Sequence, residues 1–191
     1  MRILKHRKMF SKTTLEKPFL NEMETDYIDN EGSKKIWQWA SRPNNPKTVV
    51  IVATVRNKLV LIEEFRIPAK GNIIALPAGM VEPGEDIYEA AEKELFEETG
   101  LSIDTACVRR NSPMLYNSPG MTDEQSAIVF VKAKGKLTNK NIGASEMIMP
   151  MLKSCKEVIN LLEDASNKKI KMGTKVWFAC ILFCNYKFMW I

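Results

Sequence analysis

The chain has 191 residues, of which 45% are hydrophobic and 27% are charged, and its formal net charge at pH 7 is +5. This length and composition are those of a soluble globular chain of about one domain with its own core, and they exclude a mainly disordered chain. The scattered lysines have no aromatic platform interleaved among them, so the charge indicates a basic surface that attracts anionic nucleotides or aids solubility, and it does not favour a nucleic-acid partner.

The N-terminal part of the chain is predicted to be separate from the main body. Residues 1–17 are basic, lack the apolar core of a signal peptide, and are predicted to form a loosely ordered arm. Residues 19–28 and 34–42 are predicted to be two strands around a tight turn, followed by a linker rich in proline and asparagine. The sequence therefore predicts an N-terminal β-hairpin over residues 18–45 and a main domain over residues 46–191.

The main domain mixes strands with helices. A continuous run of β-branched residues over 48–55 predicts a strand that is buried on both faces. Further strands are predicted over residues 59–65, 73–76 and 126–133, and a helix over residues 154–164. The chain has no internal repeat, and this mixture of elements predicts an α/β (α+β) fold.

Residues 176–191 form the most apolar part of the chain. This run is too short to span a bilayer and contains Asn185 and Lys187, so a docked helix is predicted in preference to a membrane anchor. The buried side of that helix is predicted to carry Trp177, Ile181, Cys184 and Phe188. The four cysteines of the chain have no metal-site spacing, so they are predicted to be free thiols of a reducing, cytoplasmic compartment.

The stretch over residues 79–101, GMVEPGEDIYEAAEKELFEETGL, predicts an amphipathic helix. Its start follows an acidic turn at residues 83–86, and its end is predicted at Gly100 because glycine is the usual C-terminal cap. The apolar face of this helix is predicted to carry Ile87, Ala90, Ala91 and Leu95.

Three glutamates near the end of this helix, Glu94, Glu97 and Glu98, share a second face at i, i+3 and i+4. A solvated acidic face is the ordinary interpretation of such a cluster. However, the helix dipole disfavours negative charge in the last turn and like charges at this spacing repel, so we expect a cation to offset them. Carboxylates without histidine or cysteine favour Mg²⁺, with Mn²⁺ as an alternative, and a divalent ion beside a carboxylate base is suited to the attack of water on a phosphate.

The spacing of residues in this stretch resembles the Nudix box, which is written GX5EX7REUXEEXGU with U an aliphatic residue. The matching fixed positions are Gly79, Glu85, Glu94, Glu97, Glu98 and Gly100. The one departure is Lys93, which stands where the family has arginine. That arginine typically pairs with box glutamates, and a lysine keeps the charge but loses the planar two-pronged geometry.

The resemblance implies an α-β-α sandwich that hydrolyses a nucleoside diphosphate linked to another group. It also implies metal ligands on the box helix and on a backbone carbonyl before it. These ligands fall on Glu94, Glu98 and the carbonyl of Ala78, while Glu97 would hold a further metal ion or activate water.

Short motifs outside the box resemble the ADP-ribose pyrophosphatase branch of the family, namely FRIP at residues 65–68, LPAG at 76–79 and SPGMTDE at 118–124. This resemblance implies that Arg66 contacts the diphosphate or terminal ribose. It also implies that Trp37 and Arg42 bind the nucleotide and that Glu124 contacts the substrate. Packing of Trp37 and Trp39 on a strand face, and a surface ion pair at Arg66, remain open as structural alternatives.

The same branch often takes its catalytic base from a glutamate in a mobile loop after the box. The polar loop over residues 135–149 contains a single acid, Glu146, which is the predicted general base, with Glu97 second and Glu124 third. An exposed loop acid without a role is the alternative. The branch is typically a homodimer whose N-terminal hairpins cross over, which would allow Trp37 to serve the partner's site.

The predicted function is therefore Mg²⁺-dependent hydrolysis of ADP-ribose, or of a related nucleoside diphosphate sugar, to a nucleoside monophosphate and a sugar phosphate. GDP-mannose, a dinucleoside polyphosphate and NADH remain alternative substrates of the same fold. A domain that binds ADP-ribose without cleaving it is a rival of another class, and Lys93 is the feature that supports it. A basic RNA-binding hydrolase is a third reading that depends on the charge.

Overall fold

The computed structural model describes residues 1–8, 19–107, 109–140 and 147–184. The chain divides into two compact units, each made of two separate stretches of sequence. Unit one contains Met1–Thr48 with Met114–Ser126, and unit two contains Val49–Pro113 with Ala127–Ile191. The chain therefore leaves unit one and returns to it later.

Unit one is built on an antiparallel sheet with the strand order β1-β2-β3. Its strands are β1 (Arg2–Lys8), β2 (Asn21–Ile28) and β3 (Lys34–Ser41). The side chain of Asp29 holds the turn between β2 and β3, because it accepts hydrogen bonds from the backbone N–H groups of Glu31 at 3.0 Å and Ser33 at 2.9 Å. The pairing of β2 with β3 confirms the predicted hairpin.

The first residues of the chain correct the expectation of a loosely ordered arm, because β1 pairs antiparallel with β2. The guanidinium of Arg7 donates hydrogen bonds to the carboxylates of Glu24 and Asp26 on β2. The bond from Arg7 lowers the pKa of Asp26 below its usual value. Basic residues that suggested an arm thus have acidic partners across the sheet, while residues 9–17 of the predicted arm lie outside the described residues.

The second stretch of unit one continues this unit beside β3. Ala40 on β3 forms a parallel bridge with Thr122, and its N–H donates to the carbonyl of Met121 at 2.8 Å. Strand β10 (Leu115–Tyr116) pairs with the first two residues of β11 (Gln125–Gly135). The loop over residues 117–124 is therefore attached to the N-terminal sheet.

Unit two is built on a second sheet and carries the described helices. Its further strands are β4 (Lys47–Val55), β5 (Lys58–Arg66), β6 (Gly71–Ala75), β7 (Ala78–Val81), β8 (Leu101–Ile103), β9 (Arg110–Asn111) and β12 (Ile148–Lys153). Its helices are α1 (Ile87–Thr99), α2 (Cys155–Ser166) and α3 (Thr174–Phe183). The strands run in the order β11-β4-β5-β12, with β6 on β5, β7 on β4, and both β8 and β9 on β11.

This sheet has a hydrophobic core on each face. Alternate residues of β4 belong to different cores, since Val49, Ile51, Ala53 and Val55 pack with Ala90, Ala91 and Leu95 of α1. Val50 packs instead with residues of the other two helices, including Val158, Leu162, Val176 and Cys180. Because successive side chains of a strand point to opposite faces, α1 covers one face and α2 and α3 cover the other. The arrangement confirms the α-β-α layers, the mixed fold class and the predicted burial of β4 on both faces.

Several short strands were not predicted from the sequence. Strand β7 has four residues and contains Gly79, and so short a segment with a glycine has the composition of a turn, so it was not predicted as a strand. β12 contains Pro150 and begins at Ile148, inside the loop predicted over residues 135–149. Proline is tolerated there because β12 lies at an end of the strand order and so is an edge strand.

Helix α3 confirms the predicted docked helix as far as Cys184. Its buried residues are Val176, Ala179, Cys180 and Ile181, and Cys184 follows them into the core. The continuation of this prediction through Phe188 to residue 191 lies outside the described residues. In the part of the chain that the structure covers, none of the helices has the length and hydropathy needed to cross a bilayer.

The four cysteines all lie within the described residues and are free thiols, as predicted. Cys180 and Cys184 are buried in the core formed by α2 and α3, and Sγ of Cys184 donates to the carbonyl of Cys155 at 3.5 Å. Burial raises the pKa of Cys180 to about 12, and burial also raises the pKa of Cys184 to about 12. These two cysteines therefore act as core residues.

We predict that Cys180 and Cys184 resist alkylation while the protein is folded. Only the thiolate reacts, and with a pKa of about 12 roughly one thiol in ten thousand is ionised near pH 8. Mass spectrometry after iodoacetamide treatment should find Cys107 modified first and these two modified only after denaturant is added. Equal rates for Cys180 and Cys107 in native buffer would contradict the buried core.

Candidate functional site

Helix α1 is fixed at both ends by the residues predicted for its boundaries. The carboxylate of Asp86 caps the start and accepts a hydrogen bond from the N–H of Tyr88 at 2.8 Å. Gly100 ends the helix with a φ of 72°, and its N–H donates to the carbonyl of Phe96 at 2.8 Å. A Cβ at this glycine would lie 2.2 Å from Cγ2 of Thr138. Both the backbone angle and the available space therefore require glycine at residue 100.

The turn before α1 is fastened to the helix by Glu85 and Lys93. One carboxylate oxygen of Glu85 accepts a hydrogen bond from the N–H of Glu82 at 2.8 Å, and the other lies 3.5 Å from Nζ of Lys93. The same Nζ lies 3.9 Å from a carboxylate oxygen of Glu94. Lys93 thus links two of the predicted box glutamates as a point charge, without the two-pronged contact that an arginine would make.

The carboxylate of Glu94 lies directly against Gly79 on β7. A Cβ built on Gly79 would be 1.9 Å from the carboxyl carbon of Glu94, and 2.2 and 2.3 Å from its two oxygens. No side chain fits at residue 79 unless the carboxylate moves. The glycine of the box therefore provides the space in which Glu94 is held.

Glu98 joins the last turn of α1 to the same strand. Its Oε2 accepts a hydrogen bond from the backbone N–H of Ala78 at 3.1 Å, and the residue is buried at 9% exposure. Glu97, between these two acids on the helix face, is exposed. The structure therefore brings Glu94 and Glu98 together with the Ala78–Gly79 segment and leaves Glu97 at the surface.

The donor set at this end of α1 suits a hard divalent cation. Helix α1 has no basic residue in its last turn, so its carboxylates and its negative dipole end are concentrated there. Among the described residues, no three or more His, Cys, Asp or Glu side chains form a ready-made metal site. Such a cation can be held by one or two carboxylates with substrate phosphates and water completing its shell, so the Glu94 and Glu98 carboxylates fit a divalent ion.

Arg66 lies at the end of β5 in the same unit. Its Nη2 lies 2.6 Å from Oε2 of Glu64, and its side chain is 57% exposed. The ion pair that the sequence left open as an alternative is therefore present. Its acidic partner is buried, which the sequence did not indicate.

Unit one brings together three residues that the sequence predicted to bind substrate, Trp37, Arg42 and Glu124. Nε of Arg42 lies 3.2 Å from one carboxylate oxygen of Glu124, and the other oxygen accepts a hydrogen bond from the Asn117 side chain at 2.8 Å. The indole N–H of Trp37 donates to the carbonyl of Gly120 at 3.2 Å, while 49% of the residue stays exposed. Trp37 thus attaches β3, and Arg42 the residue directly after β3, to the loop over residues 117–124.

Trp37 and Trp39 share one face of β3 but differ in their surroundings. The indole N–H of Trp39 donates to Oγ1 of Thr25 at 2.8 Å, and Trp39 is half-buried. Packing on the strand therefore accounts for Trp39. Trp37 is the more exposed of the two, at 49%.

Two further contacts of unit one were missed by the sequence reasoning. The hydroxyl of Ser41 donates to Asp123 at 2.8 Å, and Asn117 positions the Glu124 carboxylate. Ser41 and Asp123 are 82 positions apart, so no local pattern could connect them. Glu146, the predicted general base, lies outside the described residues.

The chain matches a family model of the NUDIX domain over residues 44–166, which is more than half of its length. It is 30% identical over 126 residues to a protein of Caenorhabditis elegans named putative nudix hydrolase 2, covering 61% of this chain and 56% of that protein. It is 34% identical over 116 residues to a protein of Saccharomyces cerevisiae named ADP-ribose pyrophosphatase, covering 56% of this chain and 49% of that protein. The chain thus spans about half the length of the curated relatives it matches.

The fold is also found among solved structures. A crystal structure described as that of an ADP compounds hydrolase matches with a TM-score of 0.74 at 22% identity, over 96% of this chain and 92% of that one. At this level of identity the likeness shows the fold, and it agrees with the mixed layers described above.

We predict that alanine has different effects at the two box glycines. Gly100→Ala forces a left-handed backbone onto alanine and drives its Cβ into Thr138, so the melting temperature should fall by roughly 4 °C or more. In Gly79→Ala the three atoms nearest to the new Cβ belong to the flexible end of Glu94, which can move, so the melting temperature should stay within about 2 °C of wild type. Calorimetry of the two variants checks this order, and a larger loss for Gly79→Ala would contradict it.

Proposed function

Because the chain belongs to the Nudix family, we propose that it is a divalent-cation-dependent hydrolase acting on ADP-ribose or a related nucleoside diphosphate sugar. It would cleave the pyrophosphate bond to give a nucleoside monophosphate and a sugar phosphate. The observation that carries the proposal is the placement of the Glu94 and Glu98 carboxylates against Gly79 and Ala78 at the end of α1. This arrangement brings together oxygen donors of the kind that bind a divalent cation, which supports the proposal.

We assign the cation ligands to Glu94, Glu98 and the carbonyl of Ala78, with Mg²⁺ as the ion and Mn²⁺ as a substitute. When bound, the ion would neutralise charge on the pyrophosphate and lower the pKa of a coordinated water. Glu97 is exposed beside these ligands and is assigned to a further ion or to the water. Lys93 and Glu85 hold the preceding turn and the Glu94 carboxylate in place.

We propose Glu146 as the general base that accepts the proton of the attacking water, with Glu97 second and Glu124 third. The choice follows from the resemblance to the ADP-ribose branch, in which a loop glutamate often has this role. Glu124 is the weakest of the three because its carboxylate already pairs with Arg42 and Asn117.

The substrate contacts follow the same branch. We propose that Trp37 stacks on the base and that Arg42 and Glu124 hold the nucleotide. The half-exposed indole of Trp37 and the neighbouring Arg42–Glu124 pair support this, since an aromatic face and a guanidinium are suited to a purine and a phosphate. Arg66 is assigned to the diphosphate or the terminal ribose.

We predict that the purified protein with Mg²⁺ converts ADP-ribose to AMP and ribose 5-phosphate. Chromatography of products from ADP-ribose, GDP-mannose, NADH and diadenosine polyphosphates will rank the alternatives. Glu98→Gln should lower turnover by about 100-fold or more, because Gln keeps an oxygen for the Ala78 N–H but loses the charged ligand. Glu89→Gln, an exposed acid at the other end of α1, is the matched control and should match wild type.

Two further outcomes of the same assay decide finer points. Turnover by Glu146→Gln within a few fold of wild type would remove Glu146 as the base and bring Glu97→Gln forward as the next variant. Cleavage of no substrate, with ADP-ribose still raising the melting temperature, would replace the hydrolase with a domain that senses ADP-ribose.

We also propose that the protein is a cytoplasmic homodimer that uses its N-terminal hairpin. Phe19 and Leu20, which precede β2, are 78% and 53% exposed, and Ile36 on β3 is 58% exposed. Apolar side chains clustered in sequence beside this sheet are suited to a second copy. The free thiols of all four cysteines are consistent with a reducing compartment.

Sedimentation velocity should therefore show a dimer for the wild-type protein. Replacing both Phe19 and Leu20 by Asp should shift the population to monomer, because a charge would have to be buried at the interface. Phe178→Asp, at an exposed position of α3 in unit two, should leave the dimer intact. A wild-type monomer at assay concentrations would exclude this assembly.

A further inference from the structure

Glu64 is a buried carboxylate in the middle of the sheet of unit two. At this point β5 is paired on both sides, because Glu64 lies opposite Ile73 of β6 and Ile148 of β12. The residue is 8% exposed. Glutamate is rarely buried without a partner, since removing its charge from water costs several kcal/mol.

Glu64 and Arg66 lie on the face of the sheet that carries the box helix. Val60 packs in the core that contains Ala90, Ala91 and Leu95 of α1. The register of β5 with β6 and β12 is unbroken from Leu59 to Arg66, so every second residue after Val60 points to the same face. The pair therefore shares a face with the helix that bears Glu94 and Glu98.

Among the described residues, the Glu64 carboxylate forms an ion pair with the guanidinium of Arg66, with 2.6 Å between Nη2 and Oε2. A guanidinium has five N–H donors in a rigid fork, so one edge can bind a carboxylate while the remaining donors stay available. The Arg66 side chain is 57% exposed, so a ligand can approach it from solvent. A long exposed side chain would otherwise lose rotamer entropy each time it bound an anion.

We propose that Glu64 is a positioning residue that holds Arg66 in the orientation in which its free N–H groups bind the diphosphate of the substrate. This inference rests on the proposed function, because it takes a nucleoside diphosphate as the ligand of Arg66. Glu64 itself makes no contact with the substrate. The buried carboxylate of Glu64 orders the guanidinium before the substrate binds. The rotamer entropy of Arg66 is therefore lost in the free protein and does not reduce the binding free energy.

A double-mutant cycle on the full-length protein tests this role. Binding of ADP-ribose is measured by calorimetry without divalent cation, so the result does not depend on turnover. Glu64→Gln should weaken binding by about 3- to 10-fold when Arg66 is present, and by less than about 2-fold in the Arg66→Ala background. Glu63→Gln, on the opposite face of β5 beside Asn72, is the matched control and should bind as wild type does.

The kinetic readout separates positioning from a structural effect. In the hydrolysis assay, Glu64→Gln should raise KM with kcat within about 2-fold, because a binding contact is lost from ground state and transition state alike. Three results would overturn the inference. They are an equal loss of affinity in both Arg66 backgrounds, tighter binding by Glu64→Gln, and no binding of ADP-ribose by the wild type. If the cycle holds while no substrate is cleaved, the hydrolase proposal fails and the role of Glu64 stands.

Discussion

The Glu94 carboxylate occupies the space where a Cβ of residue 79 would lie, and this is the constraint on which the candidate site depends. It requires α1 to lie close to β7, and the helix achieves this by presenting Ala90 and Ala91 to the sheet, where larger side chains would hold it away. Glu98 adds a second link through the N–H of Ala78. The spacing of the box residues therefore corresponds to one arrangement, in which the end of α1 is held against β7 with the carboxylate oxygens of Glu94 and Glu98 beside the strand.

The acids of the candidate site lie at the C-terminal end of α1, where negative charge is normally unfavourable. The C-terminal end of α1 has carboxylates and no basic residue in its last turn, which is unfavourable for an isolated helix. The local compensation comes from one turn earlier, where Lys93 lies between Glu85 and Glu94. That cation joins the turn to the helix and lies beside the Glu94 carboxylate. A cation bound at the face of Glu94 and Glu98, as proposed above, would offset the cost of these acids to helix stability.

Local chemistry made the box helix predictable, since Asp86 and Gly100 mark its ends and its small apolar residues mark its buried face. The hairpin was predictable for similar reasons. Strand β1 was not predictable, because the sequence does not show that Arg7 pairs with Glu24 and Asp26 on the neighbouring strand. β12 was hidden by Pro150, which is acceptable only on an edge strand. The partner of Arg66 was hidden as well, because nothing in the sequence says that the glutamate two residues earlier is buried.

The site residues divide in the same way. The resemblance to the box named Glu94, Glu98 and Ala78, and the structure brings these residues together with Gly79. The pairing of Arg42 with Glu124 could not be predicted, because the shared motif named both residues without giving their contact.

The composition of unit one from two distant stretches affects how the chain folds during synthesis. Trp37 meets Gly120, and Arg42 meets Glu124, across separations of 83 and 82 positions. The N-terminal sheet is made first, yet its loop partner emerges only after β4 to β9 and the box helix have been translated. Closing such a long loop is slow compared with forming local contacts. The N-terminal sheet of unit one is thus completed only after those later segments have been made, and it remains partly exposed while unit two is being synthesised.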